Sequence, residues 1–388
     1  MVYNQYNMKL PGEIEQRVLE LIGMPDLNWK SARVHNKKLN RIRNQMYRLA
    51  EDFAQAIPSA DIYSDAYFAY NFPMNFVKAM VIAKEVNFLY PQLFKNKDTI
   101  RILDIGCGEG AGMLGLYYGL KNSIKFVLTG IDTSAQMLKK CKNITQWLKN
   151  RDACVRIKLR KQDVSHGLLK KKTNKYNIVI FANSLAEMFT GDNIPVKFIE
   201  RILKSTDDDG VIIIIEPATK YLSRRLMNLR NEIIRKHKAY VLLPCFHKNE
   251  CPLYEIRKQK EWCHQSISWH PPVYMNIINQ GLNREIDYLK FSYLVISKKD
   301  HRKKCDECYS VISPLFREKG RKRCFLCVPT GRVELVRLNK LKTQANREFD
   351  RISKGDIISF TNVVQTNPHY WQITEDTQIR ILVSKSTR

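Results

Sequence analysis

The chain has 388 residues, 44% of them hydrophobic, which fits a globular protein of two or three domains and excludes a disordered chain. Lys and Arg number 65 against 38 Asp and Glu, and the resulting net charge of +27 favours a polyanionic partner. Nucleic acid is the first candidate and an anionic membrane surface the second, but no apolar run approaches the roughly 20 residues that a spanning helix needs.

The first predicted element is a helical N-terminal region, residues 1–95. The stretch Leu10-Pro11-Gly12-Glu13 suits a helix start, and apolar residues then recur at helical spacing. The basic stretch at residues 30–49 is either an RNA-facing surface or an ordinary solvated helix face. No apolar signal peptide begins the chain, so we expect a bacterial cytoplasm or, for a trimmed eukaryotic chain, the mitochondrial matrix.

Strands alternate with helices over residues 96–240, which predicts an α/β domain with a parallel, doubly wound sheet. The predicted strands are TIRILDIG, KFVLTGID, VRIKLRKQDV, the start of YNIVIFANSLAEM, and VIIIIEPA. Thr133 or Ser134 is expected to cap the helix after the second strand. The helix VKFIERILKSTDDDG is expected to end at Gly210.

A glycine-rich loop, Asp104-Ile-Gly-Cys-Gly-Glu-Gly110, joins the first strand to a helix. Its glycines permit a tight turn and close approach of the backbone to a ligand. Asp132 ends the second strand, where an acid binds ribose hydroxyls, and Asp163 closes the third strand, where an acid suits an adenine amino group. The candidate cofactor-binding residues are Asp104, Gly106, Gly108, Gly110, Asp132, Asp163 and Asn183.

This loop resembles motif I of the class I methyltransferases, which bind S-adenosylmethionine. An acid before the first glycine suits a ligand with an amino group and a sulfonium cation rather than a pyrophosphate. The D/N-P-P-Y/F motif of enzymes that methylate base amines is reduced here to Asn183, and Pro244-Cys245 is only a two-residue match to cytosine-C5 enzymes. The catalytic residues are therefore unknown, and methyl transfer stays open.

Most of the ten cysteines fall in a predicted metal-binding region, residues 241–330, followed by a small β-rich region, residues 331–388, that reads as a barrel or sheet. In a reducing compartment such a cluster indicates metal more often than disulfides. One set has zinc-ribbon spacing: Cys305, Cys308, Cys324 and Cys327. The three earlier cysteines then need a fourth ligand, either His247 or His264 in a zinc site, or a distant cysteine in an iron–sulfur cluster.

Motifs along nearly the whole chain resemble the methyltransferase-like proteins of the mitochondrial small ribosomal subunit and their bacterial relatives. These motifs are Ile215-Glu216-Pro217, a helix with Arg224, Arg225 and Arg230, Pro244-Cys245-x-His247-x3-Cys251-Pro-Leu, Trp262-Cys263-His264, Leu326-Cys327-x-Pro-x-Gly and Lys354-Gly355-Asp356. The resemblance implies a methyltransferase-like sheet, binding to the small subunit and its rRNA during assembly, and a [4Fe–4S] cluster. Its ligands would be Cys245, Cys251, Cys263 and Cys327.

The chain departs from that pattern in three ways, one of which is a longer spacer between Cys251 and Cys263. Cys245-Phe246-His247 stands where the family usually has Cys-Pro-His, and three further cysteines are extra: Cys305, Cys308 and Cys324. Cys327 is therefore a candidate ligand both of the cluster and of a zinc ribbon. A second metal site formed by the extra cysteines and His301 stays open.

The leading hypothesis is a monomeric assembly or translation factor that binds small-subunit rRNA. Basic residues near 30–48, 221–238 and 298–323 are expected to hold phosphates. The alternatives are an active S-adenosylmethionine-dependent rRNA methyltransferase and a zinc-ribbon nucleic-acid-binding protein.

Overall fold

The computed structural model describes residues 8–54, 61–121, 124–164, 175–189, 191, 193–255, 260–302 and 308–384. Its helices are α1 Gly12–Leu21, α2 Asn36–Ala54, α3 Ser64–Leu89, α4 Ala111–Leu120, α5 Ala135–Arg151, α6 Leu185–Met188, α7 Val196–Leu203, α8 Lys220–Arg235 and α9 Val273–Leu282. Within these ranges, no helix is both long and apolar enough to cross a bilayer.

Helices α1 to α3 fill the described part of the N-terminal region. Helix α2 is amphipathic, since Leu39, Ile42 and Met46 are buried at helical spacing while basic residues occupy the opposite face. Helix α3 is buried for most of its length and packs closely on α4. A Cβ atom at Gly115 of α4 would lie 2.3 Å from the carbonyl oxygen of Phe76, so this contact requires glycine.

The main sheet has eight strands. They are β1 Thr99–Ile105, β2 Lys125–Asp132, β3 Val155–Lys161, β4 Tyr176–Ala182, β5 Thr206–Pro217, β6 Tyr240–Leu243, β7 Gln265–Ser268 and β8 Tyr288–Ser297. Their order is β3-β2-β1-β4-β5-β8-β6, with β7 on the other half of β8. Strands β1 to β5 are parallel and β8 is antiparallel to β5. This order, with one antiparallel strand inserted before the last, confirms the predicted class I methyltransferase-like α/β fold.

Two local predictions had different outcomes. The Ser134 hydroxyl accepts a hydrogen bond from Met137 N at 3.0 Å, so Ser134 caps α5 as expected. The predicted helix end at Gly210 is wrong, because α7 ends at Leu203 and β5 already begins at Thr206. Thr206 pairs with Tyr176 of β4, and this long-range pairing overrides the polar, turn-like sequence TDDDG.

The second sheet comprises β9 Cys308–Val311, β10 Phe316–Glu318, β11 Arg321–Val328, β12 Gly331–Leu338, β13 Ile357–Asn367 and β14 Tyr370–Val383. Strand β9 pairs with both β11 and β13, so five of these strands close into a barrel with its own apolar core. The predicted region boundary at residue 330 lies in the turn between the paired strands β11 and β12.

Candidate cofactor and cysteine sites

A cavity of about 420 Å³ opens at the carboxyl ends of β1, β2 and β4, where doubly wound sheets bind their ligands. Its volume suits a cofactor-sized ligand. Five of the predicted cofactor residues line it: Gly106, Gly108, Asp132, Asp163 and Asn183. The other two, Asp104 and Gly110, belong to the same loop but do not form its wall.

The glycine loop is held by backbone geometry that side chains would disturb. Gly106, Gly108 and Gly110 all have positive φ angles, of 70°, 50° and 90°. One carboxylate oxygen of Asp132 accepts from Gly108 N at 2.7 Å and the other from Ser134 N at 2.8 Å. Asp132 therefore links the glycine loop to the start of α5 while it lines the cavity.

Two buried acids belong to the glycine loop, of which Glu109 lines the cavity and Asp104, at the end of β1, does not. Asp104 Oδ2 accepts from Met113 N at 2.8 Å, but its Oδ1 has no partner among the described residues. Burial raises the pKa of Asp104 to about 7. Glu109 Oε1 is likewise buried without a partner, and burial raises the pKa of Glu109 to about 8. Glu109 was missed as a candidate, although it stands inside the glycine loop.

The acids fit a cationic ligand better than a phosphate. A buried carboxyl group with one oxygen left without a donor is stabilised in its charged form by a nearby positive charge, such as a sulfonium or an ammonium group. Opposite the glycine loop, Asn183 donates to Asn75 Oδ1 at 3.0 Å and keeps its own Oδ1 buried without a described partner. These residues therefore fit S-adenosylmethionine, a ligand with a charged sulfur and an amino group.

Four thiols come together between the main sheet and the barrel. Cys245, Cys251 and Cys263 line one cavity of about 30 Å³, and the same three line an adjoining cavity of similar volume together with Cys327. All four are free cysteines. Two segments that are far apart in sequence supply them, the stretch from Cys245 to Cys263 and strand β11 with Cys327, so a group bound by all four would join the two parts of the molecule.

Strand geometry separates Cys324 from Cys327. Burial alternates along β11, so Cys324 points into the barrel core while Cys327 lies on the outer face. One metal ion therefore cannot take both thiolates. Cys308 is in a disulfide bond, and Cys305 lies outside the described residues.

The histidines near the thiols have other contacts. His247 Nε2 is 3.9 Å from Cys327 Sγ, and burial lowers the pKa of His247 to about 4. His264 Nε2 is 3.1 Å from Lys354 Nζ. His301 is 3.9 Å from Asp209. Across the described ranges, no three His, Cys, Asp or Glu side chains converge as ligands of a single metal ion.

A buried arginine stands beside the four thiols. Arg230 is 2% exposed, and Nη2 donates to the carbonyl oxygens of Asn249 and His247 at 2.8 and 3.2 Å. No described carboxylate lies within ion-pair distance of it. Burial pushes the pKa of Arg230 down, but Cys245, Cys251 and Cys327 more than offset this effect. Once deprotonated, as in a bound metal group, the thiols would supply the negative charge that balances this guanidinium.

Three arginines of α8 are buried or partly buried and do not face solvent as the sequence suggested, namely Arg224, Arg225 and Arg230, whereas Arg235 at the end of the helix is exposed. Arg225 is 4% exposed and donates to the carbonyl oxygen of Phe189 at 2.9 Å. Arg224 donates to the carbonyl oxygens of Glu261 and Tyr254. With Arg230 also buried, the prediction that the arginines of residues 221–238 hold phosphates is wrong for Arg225 and Arg230. Their donors instead fasten the loops of the two sites to α8.

Helix α2 does present an unpaired basic face. Lys37, Arg41 and Arg48 are exposed at helical spacings of four and seven residues, and none has an ion pair within the described part of the chain. By contrast, Lys299 pairs with Asp209 and Arg302 with Asp300 in the predicted basic segment that begins at residue 298.

Comparison with known sequences identifies one family. The profile of the family described as "Mitochondrial small ribosomal subunit Rsm22" matches residues 61–358, which include the glycine loop and all four clustered thiols. A search of the curated proteins found no match.

Solved methyltransferase structures resemble the chain at low identity. A methyltransferase from Geobacter sulfurreducens, solved with S-adenosyl-L-homocysteine, is 16% identical and covers 57% of this chain and 91% of its own, with a TM-score of 0.33. A methyltransferase from Thiobacillus denitrificans with the same ligand is 15% identical and covers 57% of this chain and 91% of its own, with a TM-score of 0.32. A precorrin-6y C5,15-methyltransferase from Geobacter metallireducens is 12% identical and covers 56% of this chain and 87% of its own, with a TM-score of 0.33.

Proposed function

The chain belongs to the Rsm22 family of the mitochondrial small ribosomal subunit, and from this we propose that it is an rRNA-binding assembly or translation factor of that subunit. In this proposal the methyltransferase-like domain binds S-adenosylmethionine, and Cys245, Cys251, Cys263 and Cys327 hold a structural [4Fe–4S] cluster. The family description favours the mitochondrial matrix over a bacterial cytoplasm as the compartment.

The cysteine arrangement supports a cluster rather than a single ion. Each iron of a four-iron cluster takes one thiolate, so the ligands lie farther apart than those of one zinc ion. This spacing is compatible with four thiols around one cavity, three of which also line the adjoining cavity. The buried charge of Arg230 suits the net negative charge of such a group.

The observation that carries RNA binding is the unpaired basic face of α2. Replacing Lys37, Arg41 and Arg48 together with glutamate is expected to weaken binding to small-subunit rRNA, because three phosphate contacts are lost and three repulsions are added. The slope of log affinity against log salt should fall by about 2 in magnitude. Filter binding or fluorescence anisotropy at several salt concentrations measures both quantities.

A matched control is available on α5. Lys139, Lys142 and Lys149 are also exposed on one helix face, and changing them to glutamate alters the net charge of the protein by the same amount. Equal losses in the two triple variants would show a response to net charge alone and would contradict an RNA surface on α2. A wild-type affinity that does not change with salt would contradict the proposed function itself.

The acidic cavity predicts how cofactor binding depends on pH. Below the pKa values of Asp104 and Glu109, these side chains are neutral, and above them they attract the cationic ligand. The affinity for S-adenosylmethionine is therefore expected to rise from about pH 6 to about pH 8, by at most tenfold per pH unit for each proton released. Calorimetry in buffers of different ionisation enthalpy measures the affinity and the released protons together.

S-Adenosylhomocysteine is the matched control ligand, because it lacks the sulfonium charge. Its affinity should change less over the same pH range, and Asp104→Asn should reduce the pH dependence for S-adenosylmethionine. Identical pH profiles for the two ligands would contradict an electrostatic role for these acids.

Methyl transfer to rRNA is a second candidate function, favoured by the unpartnered Asn183 oxygen at the cavity wall. Incubation of small-subunit particles with labelled S-adenosylmethionine separates the two. Label in rRNA that disappears with Asp104→Ala indicates the enzyme. Absence of label on every assembly intermediate, with cofactor still bound, indicates a factor that uses the cofactor structurally.

A further inference from the structure

The strand order of the C-terminal barrel points to a specific binding face. Strand β9 joins β11 to β13, and β12 runs parallel to β14. Without the hairpin strand β10, the order around the barrel is β9-β11-β12-β14-β13. Numbered along the chain, these strands have the order 1-2-3-5-4, which is that of the OB fold. Such barrels bind oligonucleotides on the face of their second and third strands, here β11 and β12.

A fold alone does not establish binding, so the side chains on this face must show whether it can bind a nucleic acid. Phe325 lies on the outer face of β11 and is partly exposed, while the neighbouring Cys324 and Leu326 are buried in the barrel core. The guanidinium of Arg332 lies 4.7 Å from the centre of the Phe325 ring, and that of Arg323 lies 5.7 Å from it. Phe316 packs edge-on at 6.2 Å. Two aromatic rings and two arginines therefore form one platform, in which Arg332 is exposed and the other three side chains are partly exposed.

The arginines of the platform also contact acids. Arg323 pairs with Glu318 and Glu334, and Arg332 pairs with Glu261 at 3.4 Å. Pairs of this exposure contribute little free energy, and each guanidinium has N–H groups beyond those that contact the acids. Strand β10 adds the exposed Arg317, and the turn that precedes β11 adds the exposed Lys319. Phosphate oxygens can therefore reach cationic donors at the edge of the platform.

We propose that the outer face of β11 and β12 binds an unpaired stretch of RNA, with a base stacked on Phe325 and adjacent phosphates on Arg323, Arg332 and Lys319. Stacking on an aromatic ring flanked by arginines requires a base whose faces are free, which a duplex does not offer. This inference rests on the proposed RNA-binding function and names its partner as single-stranded RNA. Cys327 lies on the same face of β11, so the cysteine site borders the platform.

The test uses the full-length protein and fluorescein-labelled oligouridine of about 12 nucleotides, a length that one such barrel accommodates. Phe325→Ala is expected to weaken binding of this single strand by about tenfold, and Phe325→Tyr to restore it, because a tyrosine ring also stacks. An RNA duplex of the same length should bind Phe325→Ala and wild type equally. Tyr240→Ala, at an exposed ring on β6, is the matched control and should leave both affinities unchanged.

Two outcomes separate this inference from the function on which it rests. If wild type binds neither oligouridine nor rRNA, the proposed RNA-binding function fails. If wild type binds oligouridine and Phe325→Ala binds it equally well, the platform is overturned while RNA binding stands. Because Phe325 lies outside the barrel core, Phe325→Ala should fold, and the unchanged duplex affinity verifies this in the same experiment.

Discussion

Changing Cys327 to serine is expected to abolish the incorporation of iron and sulfide, whereas changing Cys324 to serine should leave it intact. The two residues lie three positions apart on β11, but only Cys327 is on the face that borders Cys245, Cys251 and Cys263. A serine oxygen binds iron–sulfur clusters far less well than a thiolate does. Cys324 lies in the barrel core, where serine would cost about 1–3 kcal/mol of stability without touching the site.

The measurement is iron and sulfide content after purification without oxygen, read together with the visible absorption spectrum. Wild type and Cys324→Ser should contain about four of each per chain, and Cys327→Ser should contain little of either. Cys154→Ser is a further control, since Cys154 is exposed and remote in sequence from the site. Stoichiometric zinc without iron in the wild type, or equal loss of iron in both variants, would contradict the proposed ligand set.

The sequence predicted the main sheet and the cofactor cavity because both depend on local patterns. Apolar strands, the glycine loop and acids at strand ends are each readable within a few residues, and a parallel sheet brings the carboxyl ends of its strands to one edge. Asp132 lies against Gly108 for this reason. Glu109 shows the limit of this reasoning, because its burial comes from tertiary packing and not from its position in the loop.

The cysteine site was less predictable because only the three-dimensional structure shows which of the other cysteines lie close to Cys327. Spacing in the sequence favours Cys324 and Cys327 as ligands of the same metal ion. The family resemblance instead groups Cys327 with the three cysteines of residues 245–263. The alternation of burial on β11 places Cys324 and Cys327 on opposite faces, but this can be seen only once residues 321–328 are known to form a strand. Barrel closure is similarly hidden, since β9 joins strands that are distant in sequence.

The basic residues show a third limit. Arg225 and Arg230 look like part of a solvated cationic face, because they belong to a helix rich in lysine and arginine. Their burial depends on carbonyl groups from loops that follow β4 and β6, and no local pattern shows those partners. Composition therefore predicted a polyanionic partner, but it could not show which lysine and arginine side chains are exposed and able to contact that partner.

Replacing Arg230 with methionine is expected to weaken the cluster-loaded protein much more than the cluster-free protein. Without a cluster, burial raises the pKa of Cys251 to about 11 and raises that of Cys327 as well, so these two thiols are neutral. The guanidinium is then a buried charge with no described anionic partner. Replacing a buried charge by an apolar side chain of similar volume is often neutral for stability, apart from the carbonyl bonds it loses. In the loaded protein, the same charge balances four thiolates.

The stability gained on cluster loading should therefore fall by about 2 kcal/mol in Arg230→Met, the size of a hydrogen bond to a charged group. Thermal or denaturant unfolding of loaded and cluster-free forms, for wild type and variant, gives this difference directly. The reduction potential should also become more negative, because removing a positive charge disfavours the added electron. Arg230→Lys keeps the charge and loses the forked geometry, so its potential should stay closer to that of the wild type. A methionine variant with unchanged potential and an equal loss of stability in both forms would show that Arg230 acts only through packing and its bonds to the loop carbonyls.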